Sequence, residues 1–191
     1  MEQREYPRIF RVMHWSIAIS MILLLCTIFL RMTWLNKEHV ADIIQQFMVD
    51  KNTNFTRDEL IVLAKQIRKP MWNWHIYLGY AITVLYVIRM SLPFFGQMAF
   101  SNPLNKTLSP KVKFQYWVYM IFYGCLAISL ITGLIIEWGP KIYKKPMESV
   151  HVLSIYYLVA FMVLHIGGVI WAELHEHKGL ISRVISGGNG K

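Results

Sequence analysis

Four of the chain's seven histidines, His14, His75, His151 and His165, lie inside or at the edge of long apolar stretches. An ionisable side chain there is costly and marks a function by default. Neutral imidazole bonds iron, zinc and copper through a ring nitrogen, so the question is which rings share a metal. His39, His175 and His177 lie outside the apolar stretches. A lone intramembrane histidine is equally explained by a hydrogen bond between helices. Four can be tested against one another by position.

His151 and His165 share the last apolar stretch, 14 residues apart. That is about 40° short of four turns, so on one helix both rings leave the same face. Along the axis they are about 21 Å apart, one near each boundary of a hydrocarbon core about 30 Å thick. Consecutive spans alternate in direction. His75, near the start of the second span, therefore stands at the depth of His151, near the start of the fourth. His14, near the start of the first, stands at the depth of His165. Any other pairing joins opposite sides of the membrane. Depth predicts the pairs His14/His165 and His75/His151. Two axial imidazoles at each of two depths suit six-coordinate haem iron, which favours electron transfer over oxygen chemistry. Zinc calls for three or four ligands at one depth.

Arg89 repeats the spacing, 14 residues after His75, and Arg11 stands one turn before His14. Both are placed to pair with haem propionates, which suit a guanidinium. The plainer alternative is a boundary arginine reaching for head groups. Gly79 and Gly168, each about one turn from a histidine, remove bulk where a porphyrin would lie. The third span carries no histidine and reads as a scaffold or a quinone-facing wall.

The elements that position these residues are apolar helices. The 191-residue chain is 55% hydrophobic with mean hydropathy +0.36, too apolar for an ordinary soluble domain. The excess sits in stretches 12–30, 72–92, 114–136 and 150–172, each close to the roughly 20 residues a spanning helix needs. Continuous apolar runs exclude the alternation of a barrel strand, and the lack of a polar face argues against a soluble bundle. The expected fold is all-α: a single membrane domain, an integral membrane four-helix bundle with a helical extramembrane hairpin, 36–70, between spans one and two. In that hairpin Thr56-Arg-Asp-Glu59 spells a capping box before the second helix, and the hairpin is expected to lie on the membrane surface. A polar tail, 173–191, follows the last span. No small-x-small cleavage site follows the first stretch, so it reads as retained. The net charge of +9 comes from residues at helix ends and in loops, which suits lipid head groups and anionic ligands, not nucleic acid. Lysine and arginine divide ten to each side, so charge assigns no orientation. Trp72, Trp74, Trp138 and Trp171 read as an interfacial aromatic belt. Cys26 and Cys125 read as packing residues, and no Cys-x-x-Cys-His is present for covalent haem attachment.

The chain resembles the bacterial cytochrome b561 and Ni/Fe-hydrogenase cytochrome b subunit superfamily of di-haem membrane cytochromes b. The resemblance rests on Arg11-Val-Met-His14-Trp15, Trp74-His75-Ile-Tyr-Leu-Gly79-Tyr80, Ile131-Thr-Gly133, His151 and His165 at their spacing, and the tail Lys178–Gly187. It covers all four spans. The resemblance implies two b-type haems on the four histidines, electron exchange with the quinone pool, a multi-pass place in the bacterial inner membrane and a cytoplasmic N-terminus. His14 and His165 would then face the cytoplasm, with Arg11, Trp15 and Arg89 as candidate quinone-side groups at that end. A periplasmic or membrane redox partner subunit and a homodimer are both compatible with it. The hairpin between spans one and two is longer than the family pattern. Two competing readings are a metal or proton transporter using the same histidines, and an anchor subunit of a redox complex.

Overall fold

A computed structural model describes residues 6–49, 55–100, 102–175 and 178–187. His177 and the outer parts of the tail lie outside these residues. Every regular element among the described residues is helical: α1 (Arg8–Met32), α2 (Lys37–Val49), α3 (Arg57–Ile67), α4 (Lys69–Ser91), a 3₁₀ turn (Leu92–Phe95), α5 (Pro110–Trp138), α6 (Lys141–Val152), α7 (Ser154–His175) and α8 (Leu180–Ser186). The fold class is thus all-α, as the hydropathy pattern predicts.

Among the described residues, four segments are long and apolar enough to cross a bilayer: Arg8–Met32, Lys69–Phe95, Pro110–Trp138 and Lys141–His175. Their large side chains are widely exposed, among them Ile22, Val84, Ile121 and Val163. In water such surface would drive aggregation, whereas acyl chains solvate it, and the helical backbone satisfies its own polar groups.

The chain divides into two compact units. One is Ser16–Leu85, and the other is formed by the chain before and after it. Of the four histidines, His75 lies in the first, and His14, His151 and His165 lie in the second.

Local chemistry sets the helix ends. α5 begins at Ser109, whose hydroxyl accepts from the Val112 amide at 3.4 Å, with Pro110 in the first turn where no amide is needed. It ends at Gly139, where an added Cβ would fall 2.5 Å from the Ile135 carbonyl, so only glycine closes the helix this tightly; Pro140 follows. The fourth span differs from a single continuous helix: α6 and α7 meet at Leu153. Ser154 Oγ donates to the His151 carbonyl, taking an acceptor the helix would use, and such back-bonding bends helices. The Leu153 amide turns to Val150 at 3.1 Å, a tighter three-residue bond.

In the Ser16–Leu85 unit, α2 and α3 bury Val40, Ala41, Leu60 and Ala64 against one another, flanked by Ile44 and Ile61. The capping box is formed: Glu59 accepts from the Thr56 amide at 2.8 Å, and the Glu59 amide donates to Thr56 Oγ1 at 3.4 Å. Arg57 clasps the pair, with 2.6 Å to Asp42 and 2.7 Å to Glu38. The clasp holds the Glu38 carboxyl below its ordinary pKa and the Thr56 contacts do the same for Glu59.

Candidate functional site

His14, on the first turns of α1, and His165, on α7, stand with ring centroids 6.0 Å apart and planes at 51°. An imidazole–metal bond is about 2 Å and the ring adds roughly 1 Å from nitrogen to centre, so two axial imidazoles on one ion put their centroids about 6 Å apart. The angle between the planes is unconstrained, because each ring can turn about its own bond to the metal. Aromatic rings hold both imidazoles. Phe10 stacks on His14 at 6.0 Å, Phe161 stacks on His165 at 5.4 Å, and Tyr119 meets His165 edge-on at 6.1 Å. His165 Nδ1 is buried and has no hydrogen-bond partner among the described residues. A buried, unsatisfied ring nitrogen is expensive unless a ligand meets it. Spacing and the orphaned nitrogen both fit a shared metal.

The other two histidines have their Nδ1 atoms committed. His151 Nδ1 is 3.0 Å from the Ser129 carbonyl and 3.2 Å from Thr132 Oγ1. A carbonyl only accepts, so His151 carries its proton on Nδ1, and the lone pair is on Nε2. His75 Nδ1 lies 2.8 Å from Thr27 Oγ1. The Thr27 hydroxyl spends its own proton on the Leu24 carbonyl at 2.6 Å, so it accepts from His75 Nδ1–H. The tautomer is the same at both, and metal-binding histidines are oriented by this kind of bond. Trp72 stacks on His75 at 4.7 Å. Thr27, Ser129 and Thr132 are all buried.

Gly133 gives His151 its room: a Cβ there would lie 3.1 Å from Cε1. Behind it runs a hydroxyl chain. Tyr157 Oη donates to Ser129 Oγ at 2.9 Å, Ser129 Oγ lies 2.6 Å from Ser154 Oγ, and Ser154 Oγ donates to the His151 carbonyl. At Gly79 and Gly168 a Cβ would meet no atom within 4 Å, so neither glycine is demanded by its protein neighbours.

Arg89 is 7% exposed, and its Nε and Nη1 lack hydrogen-bond partners among the described residues. Its guanidinium lies 4.3 Å over Phe100 and 5.5 Å over Tyr123. Ring faces offset part of the cost of burying a cation. The unmet donors, on different edges of the guanidinium, leave the cation open to an anionic acceptor such as a carboxylate. Arg11 is engaged differently. Its Nη1 donates to the Ile185 carbonyl at 3.1 Å, and Trp15 Nε1 donates to the Val184 carbonyl at 3.2 Å. Both side chains therefore close the C-terminal end of α8, where carbonyls are unmet. Arg11 Nε is buried without a partner. The structure thus brings His14 to His165 and gives Arg89 an environment suited to an anion.

Sequence reasoning passed over Thr27, Ser129, Ser154 and Tyr157. The signal was available: hydroxyl side chains inside otherwise apolar stretches need partners, and a histidine is one. No group of three His, Cys, Asp or Glu side chains able to hold a metal converges among the described residues. A porphyrin iron asks for only two such ligands, and the residues present fit that demand.

No curated protein and no solved structure matches the chain. Residues 5–187 match the family described as prokaryotic cytochrome b561.

Proposed function

Because the chain belongs to the prokaryotic cytochrome b561 family, membrane cytochromes that carry electrons on haem b, we propose that it holds two haems. One lies between His14 and His165 and the other between His75 and His151. Through them the chain exchanges electrons between a redox partner and the quinone pool of the bacterial inner membrane, with its N-terminus in the cytoplasm. The observation that carries the reading is the 6.0 Å approach of the His14 and His165 rings.

Iron held between two imidazoles supplies a one-electron carrier with no open coordination position. The chain's own residues do the rest. Thr27 and the Ser129 carbonyl fix the tautomers of His75 and His151 and raise their basicity as ligands. Arg89 pairs with a propionate, and Arg11 Nε offers a second contact at that end. A quinone slot needs apolar walls and a few polar groups; Arg11, Trp15 and Arg89 are the candidates at the His14/His165 end, although the Trp15 donor is already spent on the Val184 carbonyl.

The decisive test is haem stoichiometry by pyridine haemochrome on purified protein. Two haems b per chain are expected. Colourless protein from haem-replete cells would favour a transporter built on the same histidines.

Two variants probe the supporting residues. Thr27→Val removes the acceptor for His75 Nδ1–H while keeping the shape of the side chain. Loss of such a partner typically weakens metal retention about 10- to 100-fold, so one haem should dissociate preferentially on dilution in detergent while the other stays. Gly133→Ala places a methyl against the His151 ring, which must shift by a few tenths of an ångström. Electron paramagnetic resonance should then show one low-spin haem signal moved and the other unchanged. Movement of both, or of neither, contradicts the role given to Gly133.

A further inference from the structure

The α2–α3 hairpin has a surface that its own core does not explain. On α2, Ile43 and Phe47 stand about 100° to one side of the Val40–Ala41–Ile44 stripe, with Glu38, Asp42 and Gln45 about as far to the other. On α3, Leu63 and Ile67 flank the Leu60–Ala64 stripe in the same sense, opposite Lys65. The polar flank is occupied by the Arg57 clasp. The apolar flank is bare: Ile43, Phe47, Leu63 and Ile67 are 53%, 58%, 39% and 49% exposed.

The joints tie this flank to the membrane boundary. Only 33–36 separate α1 from α2, and Arg68 alone separates α3 from α4. Both joints are basic, with Arg31 and Lys37 at one and Lys65, Arg68 and Lys69 at the other. Arg31 sits 4.5 Å over the Trp72 ring. Burial lowers the Arg68 pKa, and the like charge of nearby Arg31 lowers it further. Neither makes a salt bridge among the described residues. Facing cations without an acid call for an anion from outside the chain. Exposed apolar side chains beside basic residues at the end of a span are the composition of an interfacial helix.

We propose that the hairpin is a lipid-docking element: Ile43, Phe47, Leu63 and Ile67 lie in the acyl boundary, and Arg31, Arg68 and Lys69 take the phosphates of anionic phospholipids. The hairpin is joined to two spans by short basic joints, and their charge complements an anionic leaflet. The proposal is independent of the haem reading.

The full chain is placed in nanodiscs of phosphatidylcholine and phosphatidylglycerol. The photoreactive residue benzoylphenylalanine is introduced singly at Phe47, Leu63, Gln45 or Val84, the last as a span reference that is 59% exposed. Mass spectrometry reads the lipid adducts. Yields at Phe47 and Leu63 should approach that at Val84 and clearly exceed that at Gln45. Replacing phosphatidylglycerol by phosphatidylcholine should lower the hairpin yields by about fivefold, the worth of roughly one headgroup-bound cation, and leave Val84 unchanged. Hairpin yields no higher than at Gln45, insensitivity to anionic lipid, or adducts on another polypeptide would overturn the proposal.

Discussion

His165→Ala is expected to leave one haem per chain and to erase one of two low-spin components from the low-temperature optical spectrum. The substitution removes one of the two imidazoles whose centroids stand 6.0 Å apart. On the proposed function, His14 would then be the one histidine left to hold that haem. The ring is also part of the packing, stacked on Phe161 and met by Tyr119. Truncating the half-buried ring to alanine removes these contacts, so a fall in thermal stability should accompany the spectral loss. His14→Ala approaches the same site from the other side: it removes the partner ring and its Phe10 stack and leaves the Phe161 stack in place. Both variants should lose the same component and retain the other. If they lost different components, the pair would be misassigned even with the stoichiometry intact.

The second large effect concerns His75 and His151. Each single alanine variant should lose the component that His14→Ala keeps. The double variant should look like either single one, because a site that has lost one axial ligand has little left to lose. That non-additivity is the signature of two residues acting as one unit. Two separable losses on combining the substitutions would mean that the rings serve different groups. Protein lacking this haem should still bind the other, since the His14 and His165 surroundings share none of the hydroxyl partners of His151.

The sequence made the helices and the approach of His14 to His165 legible, because hydropathy reports burial in lipid and helical rise is fixed. Thr56 and Glu59 spelled their cap because that signal is local. Less legible were the residues that aim the rings. Ser129 and Thr132 lie on α5, a span with no histidine, yet they hold His151. Nothing in α5 alone announces this, since the partner is 19 residues away along the chain from Thr132 and the bond is tertiary. The break at Leu153 was hidden for a similar reason. Ser154 reads as an ordinary residue of an apolar helix until its hydroxyl is seen on the His151 carbonyl. Arg11 was read as a partner for a propionate from its place one turn before His14. Its strongest visible bond is to the end of α8, a contact between positions 174 residues apart that no local pattern foreshadows.

That contact makes the tail a lever on His14, the residue to which the proposed function gives an iron. Gly187 adopts φ +94°, and a Cβ there would fall 2.7 Å from the Arg11 guanidinium carbon, so the chain is pinned hard against the arginine at this point. Arg11 and Trp15 flank His14 on the same helix. Tension applied behind Gly187, by a fused protein or a membrane-bound neighbour, would be transmitted through these two side chains to the imidazole they bracket. The end of α8 is therefore a place from which an outside contact would shift His14 without touching the Phe10 ring stacked on it.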